Sequence, residues 1–521
     1  MSTATGDTEG AGGGGGAGGA GGIVLVLDGW GHAPPGPGNA LSLASTPTLD
    51  ALTSTAGATL VQASGEAVGL PAGTVGNSEI GHMVIGAGRP LPYDSLLVQQ
   101  EIETGALAAN AVLRRTCARL SAGGRALHLI GLCSDGQIHA HVDHLRELLR
   151  IAAAEGVRAV WIHAITDGRD VADGTAAAYL ERVEKLAAEA GVGRVASVVG
   201  RGYALDKSGD LELTRVAALA MADGAGTGVA HPRDALEGPG GSDVWVRPSV
   251  VTGAAGEPVG AMGDGDAVLF TNFRSDRIQQ LADHLVSHLP PRDVTVLSLA
   301  RYDTRAAITP LVDRADASGG LADELERHGL RSVRIAESEK FEHVTYYLNG
   351  RDARVREVEE HVRITADGSP DHRAAPRMNL PRVVAAVAKA AGRADVALVV
   401  ANLANIDVVG HTGDAEATVA AARYTDEAVE AVCATARRSG RWVLLVGDHG
   451  NAEQMSKPGA DGVARPYGGH TVNPVPFVVV PAPGRPVGQV RAGGTLADVA
   501  PTVLALLGRP PGAVMTGRAL L

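Results

Sequence analysis

Ile23-Val-Leu-Val-Leu27 is an unbroken apolar run that stops at Asp28-Gly29. A run with no polar face predicts a strand buried on both sides, as in a parallel sheet covered by helices. The pattern returns late in the chain, at Val396 to Val400, Trp442 to Val446 and Phe477 to Val480, with a helical stretch from Glu416 to Ser439 among them. A second set fills the middle: Ala126 to Gly131, Ala159 to Ile165, Val195 to Val199, Ala267 to Thr271 and Val294 to Ser298. Strands alternating with helices predict a doubly wound α/β architecture. At 521 residues the chain exceeds what one core usually serves, so two α/β domains are expected.

The ends of these runs carry the chemistry. Open α/β sheets bind ligands beyond the carboxyl ends of their strands. Asp28 follows the first run, Asn402, Asn405, Asp407 and His411 follow Val396 to Val400, and Asp448-His449 follow Trp442 to Val446. Asp407 and His411 are four apart, which puts both on one face if the turn is helical. His470 stands in the Gly-rich loop Gly468-Gly469-His470-Thr471. Asp and His donors without thiolates suit Mn²⁺ or Zn²⁺, and a two-metal clamp neutralises a phosphoryl group in transit. Each residue alone is more often a surface pair or a cap, with roughly a one-in-ten chance of binding metal. Their recurrence after separate strands makes coincidence a poor explanation. Ser78, in Gly76-Asn77-Ser78-Glu79-Ile80-Gly81-His82, has two readings: an N-cap, or a nucleophile whose helix start suits an incoming phosphate.

Composition narrows the class. Hydrophobic residues are 45% and charged residues 20% of the chain, ordinary for a globular protein. The net charge of −12 argues against a nucleic-acid partner, although a local Arg cluster can still serve a small anion. Cys117, Cys133 and Cys433 form no disulfide or CxxC pattern, so a cytoplasmic setting is expected. No signal peptide and no membrane span are expected. Residues 1–22, acidic and then nearly all Gly and Ala, are expected to be disordered.

Longer motifs point to one family. Leu27-Asp28-Gly29-Trp30-Gly31, the Gly76–His82 segment, Ser134-Asp135-Gly136, His139-Ala140-His141 and Asp167-Gly168-Arg169-Asp170 occur in order. Asn272-Phe273-Arg274-Ser275-Asp276-Arg277, Ala336-Glu337-Ser338-Glu339-Lys340, Asp407-Val408-Val409-Gly410-His411 and Gly447-Asp448-His449-Gly450-Asn451 follow. Together they resemble the 2,3-bisphosphoglycerate-independent phosphoglycerate mutases of the alkaline-phosphatase-like superfamily, from about Ile23 to the C-terminus. The late metal motifs alone would indicate only the superfamily.

The resemblance implies a metal domain over residues 23–91 and 313–521, split by a substrate domain over residues 92–312, with linkers near Arg89–Tyr93 and Thr309–Asp313. It implies two Mn²⁺ ions and no 2,3-bisphosphoglycerate. Asp407, His411 and His470 would hold one metal, and Asp28, Ser78, Asp448 and His449 the other. Ser78 would carry the phosphoryl group between the two hydroxyls of one glycerate. Arg274 and Arg277, three apart, would share a helical face and clamp the substrate. Arg169, His139 and Arg201 would add substrate contacts, Asp170 would be the general base, and Lys340 would approach the phosphoryl group as a point charge. A small-molecule substrate and a monomer complete the expectation. A metal-dependent phosphatase or phosphopentomutase of the superfamily is the alternative enzyme, lacking His139, Arg169-Asp170 and Arg274/Arg277 in this order. A catalytically dead homologue would show a damaged ligand set. One departure from the family stands out: Lys207 occupies the place of an expected substrate-binding Arg, where it would make a looser, single-point contact.

Overall fold

A computed structural model describes residues 21–206, 208–237, 241–289, 292–365, 371–458 and 463–521. Residues 1–20 of the tail and Lys207 lie outside these. Two compact units emerge: a split unit, Met1–Pro92 with Asp316–Leu521, and an inserted unit, Tyr93–Ala315.

In chain order the strands begin with β1 (Gly22–Leu27) and β2 (Ala58–Gln62). The inserted unit supplies β3 (Ala126–Leu132), β4 (Ala159–Thr166), β5 (Arg194–Gly200), β6 (Thr227–Val229), β7 (Ser249–Val251), β8 (Ala267–Phe270), β9 (Thr295–Ala300) and β10 (Thr309–Val312). The split unit resumes with β11 (Arg331–Glu337), β12 (Glu359–Ile364), β13 (Val396–Leu403), β14 (Trp442–Gly447), a hairpin of β15 (Ser456–Pro458) and β16 (Ala464–Pro466), then β17 (Val475–Val480) and β18 (Gly494–Thr495). Gly22, read as the end of the tail, opens β1 instead. Thr309–Val312, read as linker, pairs in parallel with β9 as an edge strand.

Each unit is built on an eight-stranded sheet. The split unit runs β12-β11-β13-β1-β14-β17-β2-β18 and the inserted unit β10-β9-β8-β3-β4-β5-β7-β6. All of β1 is buried, and Ile23, Leu25 and Leu27 pack in a core with Val383, Val387, Val429 and Val432 from the helices Leu380–Ala391 and Ala415–Arg438. Each such side chain contributes roughly 1.5–3 kcal/mol by leaving water. Parallel order holds through the centres, but β17 runs antiparallel to both β14 and β2. Among the described residues no helix is long and apolar enough to cross a membrane.

Parallel register decides what meets at the sheet ends. Leu27 lies level with Leu403 on one side and Gly447 on the other. The residues that follow, Asp28, Ala404 and Asp448, therefore leave the sheet side by side. In the inserted unit Leu132 is level with Ile165, and Thr166 with Gly200. Ser134, Asp167 and Arg201 emerge together there in the same way.

Candidate functional site

The split unit gathers acids and imidazoles. Gly29 (φ 75°) makes the tight turn after β1; a Cβ there would lie 2.9 Å from Asp407 Cβ, so only glycine lets these ends approach so closely. Ser78 is the first residue of the helix Ser78–Ala87, and the N-cap is Asn77, whose side chain accepts from Ile80 N. The capping alternative for Ser78 is thereby removed. Ser78 Oγ lies 2.9 Å from His449 Nε2, accepts from Lys340 Nζ at 2.6 Å, and donates to Asp28 Oδ1 at 3.3 Å.

Asp407 sits in the short helix Asn405–Gly410 and His411 is its C-cap, so the four-residue spacing works as predicted: His411 Nε2 is 3.4 Å from Asp407 Oδ1. His470 Nε2 is 3.3 Å from the same oxygen and 3.1 Å from His411 Nε2. The ring tautomers follow from their other nitrogens. His411 Nδ1 meets the carbonyl of Gly468 at 2.7 Å and His470 Nδ1 that of Gly76 at 2.9 Å. A carbonyl only accepts, so both Nδ1 atoms carry the proton and, in the neutral rings, both Nε2 atoms present lone pairs. Two lone pairs and a carboxylate oxygen converging with no proton between them fit a divalent cation. Asp407, His449 and His470 form one group of ligand atoms within 4.8 Å of one another, and Asp28, Asp448 and His449 another. Asp448 Oδ2 is buried and has no hydrogen bond among the described residues.

Lys340 holds this acidic cluster together, with Nζ 2.7 Å from both Asp28 Oδ1 and Asp407 Oδ2. Burial alone would raise both acids; the Lys340 ammonium overcomes it and holds them well below the usual carboxylate range. Burial opposes the charge on Lys340 too, but Asp28, Asp407 and Asp448 outweigh it and push its pKa up. His449 is raised to about 9 by Asp448, Asp28 and Asp407 against its burial. Behind these groups stands a pair to which the sequence assigned no role. His82 Nδ1 donates to Ser78 O at 2.8 Å, and Asn402 Nδ2 lies 3.1 Å from His82 Nε2 and donates to Asp28 Oδ2 at 2.6 Å.

The inserted unit gathers cations and their counter-ions. Asp170 lies between His139 and Arg201. Its Oδ2 accepts from His139 Nδ1 at 2.7 Å and its Oδ1 pairs with Arg201 Nη1 at 2.9 Å. Arg201, expected to contact the substrate, is buried and also meets Asp167 Oδ1 at 2.5 Å. Asp167 is the residue that sequence reasoning missed: it accepts from Ser134 Oγ at 2.5 Å and from the backbone N–H groups of Arg169 and Asp170. It follows β4 as Asp28 follows β1, so the same rule would have found it. Gly136 lets the loops touch, since a Cβ there would lie 2.7 Å from Asp170 Cβ.

Arg274 and Arg277 do not share a helical face. The helix starts at Ser275, with Arg274 as its extended N-cap. Both arginines flank Asp276 instead, Arg274 Nε at 2.8 Å from Oδ1 and Arg277 Nε at 3.4 Å from Oδ2. Burial pushes Asp170 up, but His139 and Arg201 outweigh it, so its carboxyl titrates below the ordinary range.

Comparison with known proteins supplies the family. A model of the metalloenzyme superfamily matches residues 21–511. A 2,3-bisphosphoglycerate-independent phosphoglycerate mutase of Streptomyces coelicolor is 62% identical over 96% of this chain and 98% of its own length. The enzyme of the same name from Synechococcus elongatus is 38% identical over 96% of this chain and 95% of its own. Among solved structures, a Leishmania mexicana phosphoglycerate mutase studied at low cobalt concentration superposes with a TM-score of 0.77 at 28% identity, covering 96% of this chain and 98% of that one.

Proposed function

The chain belongs to the 2,3-bisphosphoglycerate-independent phosphoglycerate mutases, glycolytic isomerases of the metalloenzyme superfamily, and from that premise we propose a phosphoserine route between 3-phosphoglycerate and 2-phosphoglycerate, with Ser78 as the acceptor. Family membership carries divalent-metal chemistry and independence of 2,3-bisphosphoglycerate. The observation that carries the route is Ser78 Oγ at the start of a helix, bonded to the ammonium of Lys340 and beside His449 and Asp28. Helix N–H groups and a buried ammonium favour both an oxyanion and the phosphoryl group it accepts.

Asp407, His411 and His470 would hold one ion, and Asp28, Ser78, Asp448 and His449 a second, with Mn²⁺ the best match to carboxylate and imidazole donors. Bound cations would neutralise the phosphoryl oxygens and favour ionised Ser78. Lys340 stays charged and offers a point contact to the same group. Arg274, Arg277 and Arg169 would grip the glycerate, with His139 and Asp170 at its hydroxyls. Arg201, already matched by Asp167 and Asp170, supports that loop while contacting substrate, and Lys207 adds a single-point contact. The enzyme would act as a cytoplasmic monomer.

An enolase-coupled assay with 3-phosphoglycerate tests this. Activity should vanish with EDTA, return with Mn²⁺ and ignore added 2,3-bisphosphoglycerate and vanadate. Strict dependence on the bisphosphate would sink the route.

A further inference from the structure

His82 and Asn402 are fully buried behind the acidic cluster of the split unit, and neither belongs to the metal-ligand sets assigned above. Resting on that assignment, we infer that the two side chains form one positioning unit. It holds Asp28, Ser78 and Asp448 in place for one metal ion and leaves the Asp407, His411 and His470 set alone.

The hydrogen bonds admit one arrangement. Asp28 Oδ2 lies 2.6 Å from the Asn402 amide, and a carboxylate only accepts, so the group facing it is the NH₂. The same NH₂ lies 3.1 Å from His82 Nε2, which must therefore present a lone pair. His82 Nδ1 then carries the ring proton and donates it to the Ser78 carbonyl at 2.8 Å. Asp448 Oδ2, which has no hydrogen bond among the described residues, is 3.3 Å from the same nitrogen. An uncharged path thus runs from Ser78 through His82 and Asn402 to Asp28, with Asp448 at its side.

This path decides which atoms face the cluster. Asn402 occupies Asp28 Oδ2, so Oδ1 is the oxygen turned toward Lys340 Nζ at 2.7 Å and Ser78 Oγ at 3.3 Å. His82 stands one turn after Ser78 in the helix Ser78–Ala87, so its bond fixes the first turn, where the serine sits. Gly81 lets that helix lie against the loop after β14, since a Cβ there would come 2.6 Å from Asp448 O. The ring of His343 packs edge-on against His82, with centroids 5.4 Å apart. Asn402 itself is placed by register: it is level with Val26, two residues before Asp28. Three ligands from three separate elements are tied together by two side chains outside the ligand set. Without the amide, Asp28 Oδ2 would be buried with no donor and its carboxylate free to turn. Groups that orient metal ligands in this way are worth about 10- to 100-fold in metal affinity.

The test titrates the full-length enzyme with Mn²⁺ in the absence of substrate and follows free Mn²⁺ by electron paramagnetic resonance. Wild type should bind two ions. Asn402→Leu keeps the side-chain volume and removes the amide; it should weaken one ion about 10- to 100-fold and leave the other within about threefold. His82→Phe should do the same, and the double variant should lose no more than the worse single, because the two residues act as one unit. Backgrounds identify the ion. With His411→Ala, which damages the other set, Asn402→Leu should still weaken the remaining ion. With Asp28→Asn it should change nothing. Where Asn402→Leu fails to fold, Asn402→Ser gives the same reading. In the coupled assay at saturating Mn²⁺, kcat should fall while KM stays nearly constant, a split that a general loss of stability would not produce. The inference is overturned if the variants bind both ions as wild type does, or weaken both alike. Wild type that binds fewer than two ions removes the ligand assignment itself, whatever the variants do.

Discussion

The two sheets solve the same topological problem with opposite electrostatics. Both deliver polar side chains from the ends of neighbouring parallel strands. In the split unit those side chains are acceptors: Asp407, His411 and His470 aim lone pairs at one point, and Asp448 Oδ2 is buried with no hydrogen bond among the described residues, His82 Nδ1 lying 3.3 Å away. In the inserted unit the buried charges at the strand ends are matched: Asp167 with Arg201, Asp170 with His139 and Arg201. Lys340 balances only part of this acceptor set, with Nζ 2.7 Å from Asp28 and Asp407, and a cation would lower the energy of the rest. A matched set is stable alone and engages a substrate by exchanging partners. The buried imidazoles echo the contrast. His449, among carboxylates, is raised to about 9. In the inserted unit His144 is pushed down to about 4 by burial and its neighbour His141, and His163 falls well below the ordinary range by burial beside His128.

The comparison can be broken most decisively at Ser78. Ser78→Ala should leave no measurable mutase turnover, because the proposed route passes the phosphoryl group through Ser78 Oγ. The inserted unit should still bind 3-phosphoglycerate, read by calorimetry. Near-normal turnover would end the division of labour.

Acid should weaken the inserted unit through its neutral imidazoles. A histidine whose folded pKa lies near 4, against 6.5, lets the unfolded chain bind more protons between those values. Its stabilising effect is complete above pH 6.5 and is lost as pH falls toward 4, about 3 kcal/mol for His144 alone. Native-state hydrogen exchange of β3 to β5 at pH 7 and pH 5 measures it, and His144→Phe should flatten the trend. An unchanged trend in that variant would remove His144 as the cause.

Manganese should act on one unit only. At a hundredfold excess over its Kd it should add about 2.7 kcal/mol to the opening free energy of β1, β13 and β14. Protection of β3 to β5 should not change. Equal protection in both units would mean that cation binding is not confined to the acceptor set.

The smallest effect is expected at Lys207. Lys207→Ala should raise KM severalfold or more, by about 1–3 kcal/mol for a charged hydrogen bond, and Lys207→Arg should retain or improve binding. Steady-state kinetics decides, and unchanged kcat and KM would show that the arginines suffice without Lys207.

Much of this was open to reading in the chain alone. The run Ile23–Leu27 had to be a buried strand, because five apolar residues in a row leave no face for water. Asp28, Asp407, His411, Asp448 and His449 were legible because each follows such a run, and strand ends are where a parallel sheet exposes its chain. Other features were hidden by the same local logic. β11 carries Arg334, a charge that breaks the apolar pattern, yet the side chain is fully buried 3.6 Å from Glu359 on β12. Only the neighbouring strand made that burial tolerable. The antiparallel entry of β17 was equally invisible, since an apolar run does not encode direction. So were the partners of Asp170: the register of β4 against β5 brought Arg201, and the loop after β3 brought His139. Sequence determined which segments are buried and which residue types leave them. Tertiary structure decided which of those residues face one another, because pairing across strands depends on register and direction, and both are fixed only when distant segments bury their faces together.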